Sequence, residues 1–224
     1  MHNPVAERDE LTFGFGATDL GSSFHGDWVL YAETELDHIT HWYGPEGGPT
    51  RLLLLIEDLL RLRDSGLDGE EINLLWRATD PQLGGSPEIR GQEREWLDRV
   101  LAWAVPVALA RGASVESCTT YPVCVPDGTS AAAAEHRRLT AEVVDLVGLL
   151  NQHCESHTPL DATQAALRRC AETLCAELAF RSLLCAASHF STQLSPATYS
   201  RLERLSTAFG YGPHVVDAVK YLMD

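Results

Sequence analysis

The sequence predicts an all-α fold, and three observations carry that prediction. Apolar residues recur at spacings of three and four over most of the chain. Helix-start signals stand at Thr34, Asp68 and Ser195-Pro196. Gly- and Pro-rich breaks divide the periodic segments and leave only short connections. Together they give eight or nine helices, arranged as two helical subdomains or one fused array.

Taken in order, residues 1–19 are mixed, and Gly14 and Gly16 argue against a long helix there. Thr34 is placed to cap a helix over Glu35–Tyr43, with Leu36, Ile39 and Tyr43 on one side. Gly44-Pro45-Glu46-Gly47-Gly48-Pro49 breaks the chain. A Leu-rich helix follows from Pro49 or Thr50 to about Asp64, ended by Ser65-Gly66. Asp68 and Glu71 have capping-box spacing, and Ile72, Leu75 and Trp76 form the buried stripe of the helix they open. Gln82–Pro87 reads as a loop. From about Glu93, Trp96, Leu97, Val100, Leu101 and Ala104 mark a further helix, ended or kinked at Pro106.

Residues 112–130 change texture. Their Val, Thr and Tyr content suits a short extended stretch, while Pro122 and Pro126 rule out a central strand. From Ala131 the helical pattern returns through about Cys154. Pro159-Leu160-Asp161 opens a long helix to about Gln193, Ser195-Pro196 starts another to Phe209, and His214–Met223 forms the last. The division this suggests is an acidic helical domain over 1–112, a linker over 113–130 and a helical bundle over 131–224.

Composition narrows the function. The 224 residues carry 17 basic and 32 acidic side chains, a net charge of −15. Residues 1–112 hold 9 of the basic and 20 of the acidic ones, a net of −11. Nucleic acid is excluded as an expected ligand, because phosphates require a basic footprint. A basic protein partner suits the acidic surface, as does simple solubility. Lys220 is the only lysine, and the arginine bias reads as compositional. The start of the chain lacks a signal-peptide pattern and no apolar run approaches a membrane span, so a cytoplasmic location and no membrane association are expected. The six cysteines form no CxxC pair and read as reduced thiols.

The most informative stretch is Phe24-His25-Gly26-Asp27-Trp28. Two large rings flank an imidazole and a carboxylate, so the segment can dock its rings in a core while Asp27 caps a helix or accepts from His25. Phe24, His25, Asp27 and Trp28 are the candidate binding residues, and no catalytic set is evident. Weaker metal-ligand patterns occur at Asp37, His38 and His41, and at His153, Cys154 and His157, where His153 and His157 sit at i, i+4 near a helix end. Neither supplies a convincing third ligand, so neither a metal nor any other cofactor is expected. Cys170, Cys175 and Cys185 read as small buried hydrophobes.

The pentad resembles the Phe-His-Gln-Asp-Trp signature of a bacterial family of contact-dependent growth inhibition immunity proteins. The Leu52–Leu62 helix with acidic insertions, the Ser65-Gly66-Leu67 break, Glu70-Glu71 and Glu95-Trp96-Leu97 follow in that family's order, over about residues 11–105. Two departures stand out: Gly26 replaces the usual Gln, and residues 113–224 have no counterpart. The resemblance implies a helical protein that binds and neutralises a cognate basic toxin without catalysis. Two other classes stay open: an enzyme of a specialised pathway with a His/Cys or metal site between the helical halves, and a helical interaction or homodimerisation module.

Overall fold

The computed structural model describes residues 14–44, 49–79, 87–122, 131–212 and 214–223. All regular elements among them are helical, ten α-helices and two 3-10 helices, and the only bridge is an isolated parallel pair between Leu194 and Met223. The chain divides into two compact units, one over Phe15–Val123 and one that takes in Cys124–Asp224.

The first unit contains α1 (Gly16–Ser23), a 3-10 turn (Trp28–Leu30), α2 (Glu35–Tyr43), α3 (Thr50–Asp64), α4 (Gly69–Arg77), α5 (Glu93–Ala110) and α6 (Val115–Thr119). Helix α3 is its centre and packs against α1, α5 and α6. Its Leu52, Leu55, Ile56 and Leu59 are at most 1% exposed, so the Leu-rich segment is buried on more than one face.

The capping signals are realised. Thr34 accepts the N–H of Asp37, whose carboxylate accepts the Thr34 N–H in return. Asp68 and Glu71 form the same reciprocal box. Helix α1 has no such local cap. Its Ala17 N–H is instead accepted by the buried carboxylate of Asp58, 41 residues away on α3, at 2.9 Å.

Two arginines of α5 and its end close other helices. Arg94 donates to the carbonyls of Arg63, Ser65 and Leu67 at the end of α3. Arg111 donates to those of Tyr43 and Gly44 at the end of α2. A planar fork spans several carbonyls that a lysine ammonium could not bridge in one geometry. These two members of the arginine bias therefore have a structural role.

Helix α5 continues through Pro106 to Ala110 rather than ending there. The proline falls near the C-terminal end, where its missing N–H removes a single intrahelical bond. Within 112–130, where an extended stretch was expected, Ser114 caps the helix α6 and Cys118 is 2% exposed. Arg61 of α3 adds a hydrogen bond to the Pro122 carbonyl. Residues 80–86 and 123–130, with Cys124 and all of the expected Gln82–Pro87 loop except Pro87, lie outside the described residues.

The second unit contains α7 (Ala131–Val147), α8 (Leu160–Thr173), α9 (Ala176–His189), α10 (Pro196–Ala208) and a 3-10 helix over Val216–Leu222. Helices α7, α8 and α9 pack on one another. Two expectations change here. Helix α7 stops at Val147, not near Cys154. The expected helix over 160–193 divides at Leu174-Cys175, where Cys175 is extended at φ −163° and ψ 113° and its N–H reaches the Cys170 carbonyl. The break lets Leu167 and Cys170 of α8 and Phe180 and Leu183 of α9 all turn inward. A continuous helix of that length has one axis and could not bury both sets against α7. Ser195 caps α10 with Pro196 in its first turn, as expected. The final segment is a 3-10 helix rather than an α-helix, tied back by the Leu194 N–H to the Leu222 carbonyl.

Candidate functional site: an aromatic cluster beneath an exposed apolar turn

Helix α1 ends at Ser23, and Phe24 at its C-cap turns the chain so that its side chain enters the core with no exposed surface. The Phe24 ring is the hub of an aromatic cluster. His38 lies 4.5 Å away, Trp28 5.4 Å, Trp76 6.0 Å and Trp96 6.3 Å, centroid to centroid. The edge-on contacts with the three tryptophans are a favourable arrangement of ring quadrupoles.

Of the pentad, Phe24 is therefore buried and Trp28 half-buried, while His25 is half-buried and Gly26 and Asp27 are exposed. Asp27 occupies the N-cap position of the 3-10 turn, yet its side chain makes no capping bond and none to His25. The polar pair thus does not fix the backbone, contrary to the reading of the sequence. Serine does that work. The Ser23 hydroxyl donates to the Leu20 carbonyl at 2.7 Å and lies 2.9 Å from His38 Nε2. With the Ser23 proton on the carbonyl, His38 is the donor through Nε2, and its buried Nδ1 is left without a hydrogen-bond partner. Burial, with smaller contributions from the charges of His25 and His41, lowers the His38 pKa to about 4. His38 is neutral at physiological pH.

The metal patterns come apart. His38 is fully buried in the aromatic cluster, His41 is exposed, and the Asp37 carboxylate is held in the capping box. His153, Cys154 and His157 lie in a non-helical segment after α7, so the i, i+4 spacing places nothing together. The Cys154 thiol donates to the His189 carbonyl at 3.3 Å. Among the described residues no group of three His, Cys, Asp or Glu side chains could hold a metal ion.

Three further arrangements emerge from the structure. First, Asp19 Oδ2 collects the Arg51 guanidinium at 2.9 Å, the Trp42 indole N–H at 3.3 Å and the Tyr43 hydroxyl at 3.5 Å. Burial raises the Asp19 pKa against the opposing pull of Arg51, and pushes the Tyr43 phenol well above its usual range. Second, His189 Nε2 lies 2.8 Å from the Ser156 hydroxyl, which also accepts the Thr158 N–H and so ties the loop to α9. Third, the turn after the pentad is turned outward: Val29 is 60% exposed, Leu30 81% and Tyr31 46%. The first two depend on contacts between distant residues. The third had a signal, an apolar Trp28-Val29-Leu30-Tyr31 run followed at once by Glu33, Glu35 and Asp37.

What this region can do is bind. Its buried rings form a rigid base, its exposed face is apolar, and its surroundings are acidic. Comparison with family models, curated proteins and solved structures finds no match to this chain.

Proposed function

We propose that this chain is a cytoplasmic immunity protein that binds and neutralises a cognate basic toxin through the acidic helical surface of its first unit. The observation that carries the reading is the combination of that unit's charge with an exposed apolar turn built on the pentad's aromatic base. No Lys or Arg stands between Arg8 and Arg51, while Asp27, Glu33 and Asp37 are exposed within that span. Such a surface attracts a cationic partner over long range and speeds encounter with it. A toxin that itself binds phosphate presents the matching charge. The resemblance of the pentad to the immunity signature agrees with this reading. So does the placement of the buried imidazoles, since His38 and His189 each lie within hydrogen-bond distance of a serine hydroxyl rather than facing an open cleft.

Membrane association does not enter the reading, as no described helix is long and apolar enough to cross a bilayer. Cells expressing the toxin domain encoded beside this gene should survive when the full chain is co-expressed, and the two purified proteins should co-elute on gel filtration. The absence of both protection and a complex would overturn the proposal.

A further inference from the structure

We infer that the segment Asp27–Asp37 is the docking surface for a basic protein, with Leu30 and Tyr31 entering an apolar recess whose rim is cationic. This rests on the immunity reading above and names the surface that reading leaves open.

Apolar exposure is concentrated in this segment. Among the described residues eight large hydrophobic side chains are substantially exposed, and four of them, Val29, Leu30, Tyr31 and Leu36, lie within eight positions. Scattered single exposures are ordinary, whereas a contiguous group marks a contact surface. The segment is also braced at both ends. The turn is a single 3-10 element, and its flanking rings pack on Phe24 and on the histidines of α2. Trp28 packs on Phe24 and, at 5.6 Å, on His38, while Tyr31 lies 5.8 Å from His38 and 5.3 Å from His41. Val29 and Leu30 are held out to solvent between these two fixed points. A preorganised apolar projection loses little conformational freedom on binding.

Charge selects the partner. Asp27 and Glu33 are exposed and make no ion pair, and Asp37 and half-buried Glu35 stand in the first turn of α2. Arg51, the nearest cation along the chain, is paired with Asp19 at 2.9 Å. An apolar centre with an unneutralised acidic rim fits a partner with the opposite rim. A second copy of this chain would bring like charges together.

The test is calorimetric titration of the full chain with the toxin domain encoded beside its gene. Leu30→Ala combined with Tyr31→Ala should weaken the complex at least tenfold. Asp27→Asn combined with Glu33→Gln should weaken it several-fold at low salt and flatten its salt dependence. Val115→Ala removes an apolar side chain that is 66% exposed outside the segment, and should bind as the parent does. Thermal melting of each variant establishes that it is folded, as expected for exposed positions. If the parent complex forms and the Leu30/Tyr31 pair binds within twofold of it, the docking surface is overturned while the immunity reading stands. If the parent chain itself does not bind the toxin domain, both are overturned.

Discussion

The Asp58 carboxylate accepts the backbone N–H of Ala17 at 2.9 Å, so α3 supplies the N-terminal cap that α1 lacks. Asp58 is 1% exposed and lies beside Arg61, which is paired with Glu57 at 2.6 Å. The short helix that presents Ser23 and Phe24 is therefore held by a charge buried in the neighbouring helix. Asp58→Ala leaves the Ala17 donor without its acceptor and removes one of the two carboxyl groups beside Arg61, and should cost about 2–4 kcal/mol in chemical denaturation. Asp58→Asn keeps an acceptor and should cost less. Equal losses for the two would dismiss the capping role.

His38 makes stability depend on pH in a defined direction. Its folded pKa of about 4 lies below the ordinary 6.5. Between those values the unfolded chain binds more protons, so this contribution is fully present above about pH 6.5 and is lost as pH falls toward 4. The fall in urea midpoint from pH 7 to pH 4.5 should be smaller in His38→Gln than in the parent. An NMR titration should also find the His38 ring neutral at pH 5.5. A ring that titrates near 6.5 would contradict the buried placement.

Gly21, just before the pentad, and Gly26 within it should respond differently to substitution. A Cβ at Gly21 would run into the Thr79 side chain, so α1 can approach the end of α4 only with glycine there. Gly21→Ala should lose about 1–3 kcal/mol by thermal or urea unfolding. At Gly26 a Cβ meets nothing within 4 Å. Gly26→Gln, which completes the Phe-His-Gln-Asp-Trp pattern that the pentad resembles, should change stability by no more than about 0.5 kcal/mol. A large loss at Gly26 would mean that the turn itself requires glycine.

The helices were legible because their signals are local. Capping boxes at Thr34 and Asp68, the Ser195-Pro196 start and the stripes through Ile72, Leu75 and Trp76 depend on residues within one or two turns, where spacing and hydrogen-bond chemistry suffice. The errors arose where the deciding contact is distant in sequence. Helix α1 carries no start signal of its own in the sequence, because its cap comes from Asp58. The division at Cys175 follows from α8 and α9 both packing on α7, and the inward turn of His38 from Ser23 and the Phe24 ring.

By itself the sequence determined the all-helical class, most helix starts and the acidic character of the first half, since these follow from residue identity and spacing along one chain. Tertiary structure alone decided what the buried faces of those helices meet. It placed Phe24 and His38 inside, left Asp27 without a partner, and turned Val29, Leu30 and Tyr31 outward. The physical reason is that burial and pairing are set by what lies across the fold, and neither Asp58 opposite Ala17 nor Ser23 opposite His38 leaves any periodic trace in the chain.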